Sequence, residues 1–223
     1  MTVRPACGTL ALMEQILTDG PVGAAATVLF AHGAGAGMDS PFMAAAARGL
    51  ACHGIRVVRF EFPYMRRARL EGRKAPPDRM PVLCDAFRGA AAGLREARRI
   101  VVAGKSMGAR VAACVAADVG AAGVLCFGYP FHPTGKPDRL RLEPLLALDC
   151  AALIVQGTRD PFGTFEEVPG YGLPDRVRVH WVPDGNHDLA PRKSSGTTPE
   201  AALERALEAA ARFIRFLPER SAP

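Results

Sequence analysis

Short, almost uninterrupted apolar runs alternate along this chain with longer alanine-rich stretches, a pattern that predicts parallel strands joined by crossover helices. Strands are expected at Thr27–Ala31 (TVLFA), Ile55–Phe60 (IRVVRF), Ile100–Ala103 (IVVA), Gly123–Phe127 (GVLCF), Ala152–Gln156 (ALIVQ) and Val177–Val182 (VRVHWV). Several of these runs are continuously apolar, as strands are when both faces of a sheet are covered. Helices are expected at Pro41–His53, Pro81–Arg98, Met107–Val119 and Pro199–Leu217. Ser40 stands as N-cap before Pro41, and Gly54 closes that helix. In the last helix Leu203, Leu207, Ala210, Ala211 and Ile214 recur at helical spacing and give one apolar stripe to lay on a sheet. Right-handed crossovers then build three layers, a mostly parallel central sheet with helices on both faces. Ligands of such sheets gather at the carboxyl ends of the strands, so the segments just after each strand should hold the chemistry.

Composition narrows the picture. The 223 residues suit a single domain over 1–223, with residues 1–20 and 218–223 as candidate mobile ends. Hydrophobic residues at 49% and charged residues at 22% exclude a disordered chain. No apolar run approaches the roughly 18 residues of a membrane span. The opening MTVRPACGTLALMEQ lacks the basic, apolar and small-residue order of a secretion signal. The expected compartment is therefore the cytoplasm, with no membrane partner. Six cysteines (Cys7, Cys52, Cys84, Cys114, Cys126, Cys150) form no C-x-x-C pair and read as small buried hydrophobes.

The net charge of +6 is carried by arginine, with only four lysines. A nucleic-acid binder concentrates such charge and interleaves aromatics, and aromatics are 7% here, so no nucleic-acid partner is expected. One stretch does concentrate charge. Pro63–Pro81, expected as a loop after a strand, carries Arg66, Arg67, Arg69, Arg73, Lys74 and Arg79. It reads either as a solvated basic surface or as a seat for a carboxylate or phosphate, which arginine's fork geometry suits.

Gly104-Lys105-Ser106-Met107-Gly108 follows the strand IVVA and opens the helix Met107–Val119. This is G-x-S-x-G in a strand–turn–helix setting, where small neighbours let the backbone turn sharply and present the Ser106 hydroxyl above the sheet. Two rival motifs fail on the residues. A phosphate-binding loop ending in Gly104-Lys105-Ser106 needs glycine where Arg99 stands, and a Ser-x-x-Lys nucleophile needs lysine where Ala109 stands. A serine nucleophile needs a base, and the base needs an orienting group. Asp160 follows the strand ALIVQ, and His187 lies on the loop after VRVHWV. The chain order Ser, acid, His on late loops is that of a catalytic triad on an α/β sheet. His180 falls in a strand, His53 ends a helix, and His132 shows no acid partner in the sequence. Asp184 and Asp188 are the alternatives to Asp160, and their closeness to His187 suits them to shaping its loop.

A developing oxyanion also needs donors. The glycine-rich loop His32–Gly37 follows the strand TVLFA, and its Ala34 amide together with the Met107 amide forms the candidate oxyanion hole. The loop fails as a dinucleotide fingerprint, because Met38 and Ser40 stand where glycines are needed. His32 is expected to brace the loop through a ring hydrogen bond. Gly35, Phe42, Tyr64, Arg66, Arg67, Phe131, His132 and Phe162 are the candidate substrate-lining residues. The segment between Gly128 and Asp149 is too short for a bulky lid.

HGAGAGMDSPFM (32–43), FEFPYM (60–65), GKSMGAR (104–110), GYPFHPTGKP (128–137), QGTRDPFG (156–163) and GNHDLAPRK (185–193) together resemble the dienelactone-hydrolase-related branch of α/β-hydrolases. That branch includes the testis-expressed hydrolase-like proteins and a subunit of a chromatin-acetylating complex. The resemblance spans roughly residues 27 to 217. It implies an α/β-hydrolase fold and a triad of Ser106, Asp160 and His187; the short segment between Gly128 and Asp149 adds the expectation of a minimal lid. Asn186 and Ala190 depart from the branch's usual acidic residue and lysine, neither at a triad position. The expected activity is hydrolysis of a small ester or thioester, an anionic one if the basic stretch 63–81 seats substrate, with no metal or organic cofactor. The alternatives are a non-catalytic interaction module on the same fold, or a peptidase or acyltransferase using the same triad.

Overall fold

Seven strands form one sheet in the order β1-β3-β2-β4-β5-β6-β7 in the computed structural model, which describes residues 16–94 and 96–218. The strands are β1 (Ile16–Asp19), β2 (Thr27–Ala31), β3 (Arg56–Phe60), β4 (Ile100–Lys105), β5 (Gly123–Phe127), β6 (Ala151–Gly157) and β7 (Val177–Val182). All neighbours are parallel except β1, which lies antiparallel on β3 with Ile16 opposite Phe60. The helices are α1 (Pro41–Cys52), α2 (Pro63–Glu71), α3 (Met80–Ala92), α4 (Met107–Val119), α5 (Glu143–Leu146) and α6 (Pro199–Arg215).

Period-two alternation along the strands divides the core in two. Leu29, Val102, Val124 and Ile154 face a cluster completed by α3 and α4. Val28, Val101, Leu125 and Val155 point the other way, into a cluster with α1 and α6. Helix α6 lays its Ala206, Leu207, Ala210 and Ile214 stripe there, and its Thr198 N-cap accepts from the Ala201 amide at 3.2 Å. Ser40 caps α1 by position, with Pro41 following, but makes no side-chain cap bond.

Several expectations are corrected. Residues 16–19 of the supposed mobile N-terminal end are a paired edge strand, and residues 1–15 and 219–223 lie outside the described residues. Pro63–Pro81 is not one loop. It begins with α2, because Pro63 presets the first helical turn and Gly72, at φ 64°, ends it in a left-handed cap. Helix α3 stops at Ala92 before Gly93, well short of Arg98. Strand β4 runs two residues beyond Ala103, since Gly104 and Lys105 still pair with β5. Cys52 and Cys114 are exposed and Cys150 is half-buried, so burial holds for Cys84 and Cys126 and not for those three; Cys7 lies outside the described residues. Between Gly128 and Asp149 the four-residue α5 is the one helix, and among the described residues no lid domain is inserted there. Among the described residues no helix is long and apolar enough to cross a membrane.

Candidate active site

Ser106 is the single residue between β4 and α4, and it adopts φ 53°, ψ −114°, a region that costs a non-glycine residue of order 1–3 kcal/mol. Its amide donates to the Phe127 carbonyl at 3.0 Å, which ties the turn to the end of β5. The flanking glycines have steric causes. A Cβ at Gly104 would lie 2.0 Å from the Gly108 carbonyl carbon, and one at Gly108 would lie 2.5 Å from the Ala31 oxygen. Both glycines therefore let α4 start hard against β4 and β2, with Ser106 raised at the apex.

Loops after β6 and β7 bring two further side chains to that apex. His187 Nε2 is 2.9 Å from Ser106 Oγ, and His187 Nδ1 is 2.8 Å from Asp160 Oδ2. Asp160 is fully buried. Its Oδ1 accepts from the Phe162 amide at 2.9 Å, and Oδ2 also accepts from the Gln156 amide group at 3.0 Å. With both carboxylate oxygens acting as acceptors, the imidazole donates at Nδ1 and offers Nε2 to the serine hydroxyl. Phe162 packs on the imidazole, ring centroids 4.5 Å apart.

The two loops meet backbone to backbone. A Cβ at Gly157 would fall 2.3 Å from the Gly185 oxygen, and the Arg159 amide donates to that oxygen at 2.9 Å. Asp184, at φ 55°, is held by a bond from its amide to Thr158 Oγ1 at 2.9 Å. Its carboxylate accepts from Arg192 and pairs with Arg159, and those arginines hold its pKa below the usual carboxylate range. Asp184 thus shapes the histidine loop, as expected from its position.

On the other side of Ser106 lies the glycine-rich loop. A Cβ at Gly33 would come 3.6 Å from Ser106 Cβ. Buried His32 accepts the Phe62 amide at Nε2, 3.0 Å, so its Nδ1 carries the proton and donates to the Gly33 oxygen at 2.7 Å. Burial pushes the His32 pKa below its ordinary 6.5, keeping this neutral tautomer. The Tyr64 hydroxyl lies 2.9 Å from the Gly33 oxygen and 3.0 Å from the Ala34 oxygen. A planar trans peptide links the Gly33 carbonyl rigidly to the Ala34 N–H, so fixing one aims the other. Met107 N–H, first in α4, is among the donors that a helix leaves without an internal partner.

The sequence-derived lining residues divide. Gly35 and Ala34 are exposed on the loop, Phe42 is half-buried with its ring 5.9 Å from Phe127, and Phe162 touches His187. Tyr64 and Phe131 are fully buried and His132 is 3% exposed, so these three line no open surface; Tyr64 braces the glycine loop instead. His132 does have an acid neighbour, Glu167, at 3.5 Å. Arg67 is paired with Asp78 at 2.6 Å, and Arg69 with Glu61 and Asp39. A cleft of 450 Å³ opens between the glycine loop and α2, and its basic lining is Arg69, Arg73 and Lys74 rather than Arg66 and Arg67.

Two residues that hold the site, Gln156 and Lys105, had no assigned part in the sequence reading, and a third, Tyr64, was expected to line the substrate pocket. Gln156, the one polar residue of an apolar strand, bridges Asp160 to the Tyr129 backbone. That isolation was a readable signal. Tyr64 and Lys105 act through contacts between segments distant in sequence, which no local pattern announces.

The model of the family described as "Alpha/beta hydrolase domain" matches residues 24–215. Among solved structures, a lidless α/β serine hydrolase from Xanthomonas campestris superposes with a TM-score of 0.67 at 23% identity, covering 93% of this chain and 90% of that one. A dienelactone hydrolase from Anabaena variabilis gives 0.66 at 21%, covering 91% and 92%. An α/β serine hydrolase homologue from Coxiella burnetii gives 0.68 at 20%, covering 89% and 90%. At these identities the likeness is one of fold. No curated protein matches the sequence.

Proposed function

The chain belongs to the alpha/beta hydrolase domain family, and from that premise we propose that it cleaves a small ester or thioester through an acyl-enzyme on Ser106. The observation that carries this reading is the hydrogen-bonded sequence Ser106–His187–Asp160, at 2.9 and 2.8 Å, on a serine held at φ 53°. His187 takes the hydroxyl proton at Nε2 as Oγ attacks the carbonyl carbon. The carbonyl electron pair moves onto oxygen, where the Ala34 and Met107 amides receive it. Collapse expels the alcohol or thiol, which leaves with the proton from His187. Water then attacks the acyl carbon, passing its proton to His187, and the released Ser106 oxygen recovers it as the acid departs. Asp160 stays ionised throughout and holds the ring.

The modest cleft, 450 Å³, favours small substrates. The cleft beside Ala34, Gly35 and Gly37, with Arg73 and Lys74 on its wall, supports an ester bearing a negative charge. The six motifs support membership of the dienelactone-hydrolase-related branch shared with the testis-expressed proteins. An interaction module without turnover has no use for the strained serine and its two partners, and their retention weighs against that alternative. The peptidase and acyltransferase alternatives use the same acyl-enzyme and differ in leaving group or acceptor.

A fluorophosphonate probe should label the wild type and leave Ser106→Ala unlabelled. A panel of p-nitrophenyl esters of graded chain length should show hydrolysis that the same substitution lowers at least about a thousandfold. Equal labelling of both proteins overturns the assignment.

A further inference from the structure

Lys105 has no part in the chemistry just described, yet it is the residue immediately before the proposed nucleophile and is only 7% exposed. Its ammonium group donates to the His187 carbonyl oxygen at 2.8 Å and pairs with Asp188 Oδ1 at 3.2 Å. The Phe42 ring lies beneath it, centroid 5.4 Å from Nζ. Burying an ammonium is costly unless it is paired and hydrogen-bonded, and a methionine or leucine would fill the same space without that cost. What the charge achieves is therefore to be sought in what it holds.

It holds the main chain of the residue whose imidazole faces Ser106. We infer that Lys105 is a positioning residue: it bolts the end of β4, and with it the Ser106 turn, to the His187 backbone, so that imidazole and hydroxyl keep their relative placement. This inference rests on the hydrolase reading for its kinetic consequence and on geometry alone for its structural one.

Near His187 the loop also packs on the sheet, through the Gly185 and Asn186 backbone against Gly157 and through buried Leu189, but its hydrogen bonds there are mostly its own. Asn186 Oδ1 accepts from the Asp188 and Ala190 amides, and the Asn186 amide donates to the Ala190 carbonyl, all within the loop itself. Asp184 and Arg159 anchor its start to the loop after β6. The imidazole's bond to Asp160 fixes only the ring's far edge. At the His187 carbonyl, the backbone of Gly128 closes one side, since a Cβ there would lie 2.9 Å from that oxygen, and the Lys105 ammonium supplies the hydrogen bond. Remove the ammonium and the carbonyl is free to turn, carrying the imidazole with it. A misplacement of about 1 Å between reacting groups costs of order a hundredfold in rate.

The test uses Lys105→Met, which keeps length and apolar packing. Against p-nitrophenyl acetate, kcat should fall by about 10- to 100-fold with KM changed less than threefold, and fluorophosphonate labelling of Ser106 should slow in parallel. Asp188→Asn, which leaves the bond to His187 in place, should keep at least a third of wild-type kcat. A proton NMR signal from the His187 Nδ1–H, identified by its absence in His187→Gln, should be sharp in the wild type and broadened in Lys105→Met. That signal is independent of turnover. If the wild type shows no Ser106-dependent reaction while the NMR signal behaves as expected, the hydrolase reading fails and the positioning stands. If Lys105→Met labels and turns over like the wild type, or keeps a sharp signal, the inference is overturned. Equal losses in Lys105→Met and Asp188→Asn overturn it too, because they place the effect in the ion pair and not in the carbonyl anchor.

Discussion

Tyr64→Phe isolates the brace behind the glycine loop, because it removes one hydroxyl from a fully buried ring and leaves the ring's packing on His32 and Phe62 in place. The hydroxyl reaches the Gly33 and Ala34 oxygens at 2.9 and 3.0 Å. A buried hydrogen bond of this kind contributes roughly 0.5–1.5 kcal/mol net. The Gly33 oxygen keeps its His32 donor, and Ala34 is exposed, so water can replace part of the loss. The expected destabilisation is about 1 kcal/mol, which at this chain length lowers Tm by about 2–4 °C. The kinetic effect is of another kind. Outright removal of an oxyanion donor costs about 10²–10³ in kcat. Here the Ala34 N–H survives but is aimed through its peptide plane by His32 alone, so kcat should drop by about tenfold, equivalent to about 1.4 kcal/mol. KM should stay within threefold, since the donor acts on the transition state more than on the bound ester. Steady-state hydrolysis of p-nitrophenyl butyrate and a thermal melt on the same preparations read both numbers. A variant whose Tm falls while kcat stays within twofold of wild type would show that Ala34 does not hold the oxyanion, and the reasoning from peptide planarity would fail with it.

Four further outcomes follow from the same geometry. Gly128, at φ 65°, sits where a Cβ would approach His187 Nδ1 to 3.1 Å, so Gly128→Ala should cut kcat at least tenfold, whereas Gly135→Ala, at φ 71° with open space around it, should cost stability and leave kcat unchanged; circular-dichroism melts and ester turnover separate the two. His32 has its pKa depressed by burial from 6.5, so below that pH the unfolded chain binds a proton that the folded chain refuses, and stability is lost as pH falls. Urea titrations at pH 7.5 and 5.5 should show a smaller pH-dependent loss in His32→Gln than in the wild type; His180, depressed by burial and Arg212, adds equally to both. The Cys84 thiol donates to Cys114 and, with Arg110 nearby, pulls the exposed Cys114 down to about 7, so iodoacetamide at pH 7.5 should modify Cys114 ahead of exposed Cys52, with the preference lost in Cys84→Ala by peptide mass mapping. Raising salt should increase KM for a p-nitrophenyl ester carrying a carboxylate more than for a neutral one, and Arg73→Ala combined with Lys74→Ala should remove the difference; parallel responses in the wild type would argue against an anionic substrate.

How much of this was legible beforehand depends on whether the cause of each feature is local. The strands β2 and β5 and the helix α4 start and stop where their apolar runs and glycines indicate, because burial on both faces demands an uninterrupted run and a chain reversal demands its own residues; the edge strand β7 also keeps its expected bounds, by its β-branched and aromatic residues. The residues that meet at the apex were legible for a related reason: each lies on the segment that follows a strand, and a parallel sheet delivers all its carboxyl ends to one side. The arginine-rich segment was misread as loop because its charges hid a helix whose signals are Pro63 and Gly72, with Tyr64 as its one buried residue. Strand β1 was missed because four residues of mixed polarity at an edge carry almost no periodicity. Tyr64 was placed in the substrate pocket since an aromatic beside a strand end looks the same whether its hydroxyl meets a ligand or a main-chain carbonyl.

That last ambiguity points to how the site is built. Its reacting groups lie on loops and one strained turn, which on their own would wander by more than the chemistry tolerates. Each is held instead by a hydrogen bond involving the backbone next to it: the Gly33 carbonyl by His32 and Tyr64, the His187 carbonyl by Lys105, and the Ser106 amide by the Phe127 carbonyl. The donors or acceptors come from α2, β4 and β5 and from buried His32 just past the end of β2, positions in the sheet or packed against it, so the stiffness of the core passes to the loops through single bonds. An anchor of this type touches no substrate. Its removal should therefore lower kcat while sparing KM, and should do so at Tyr64 and at Lys105 independently. Losses in the double variant should multiply, because the two anchors hold different carbonyls and share no hydrogen-bond partner. A double variant no slower than the worse single one would mean that both residues steady one shared motion of the turn, and the picture of separately bolted loops would have to be given up.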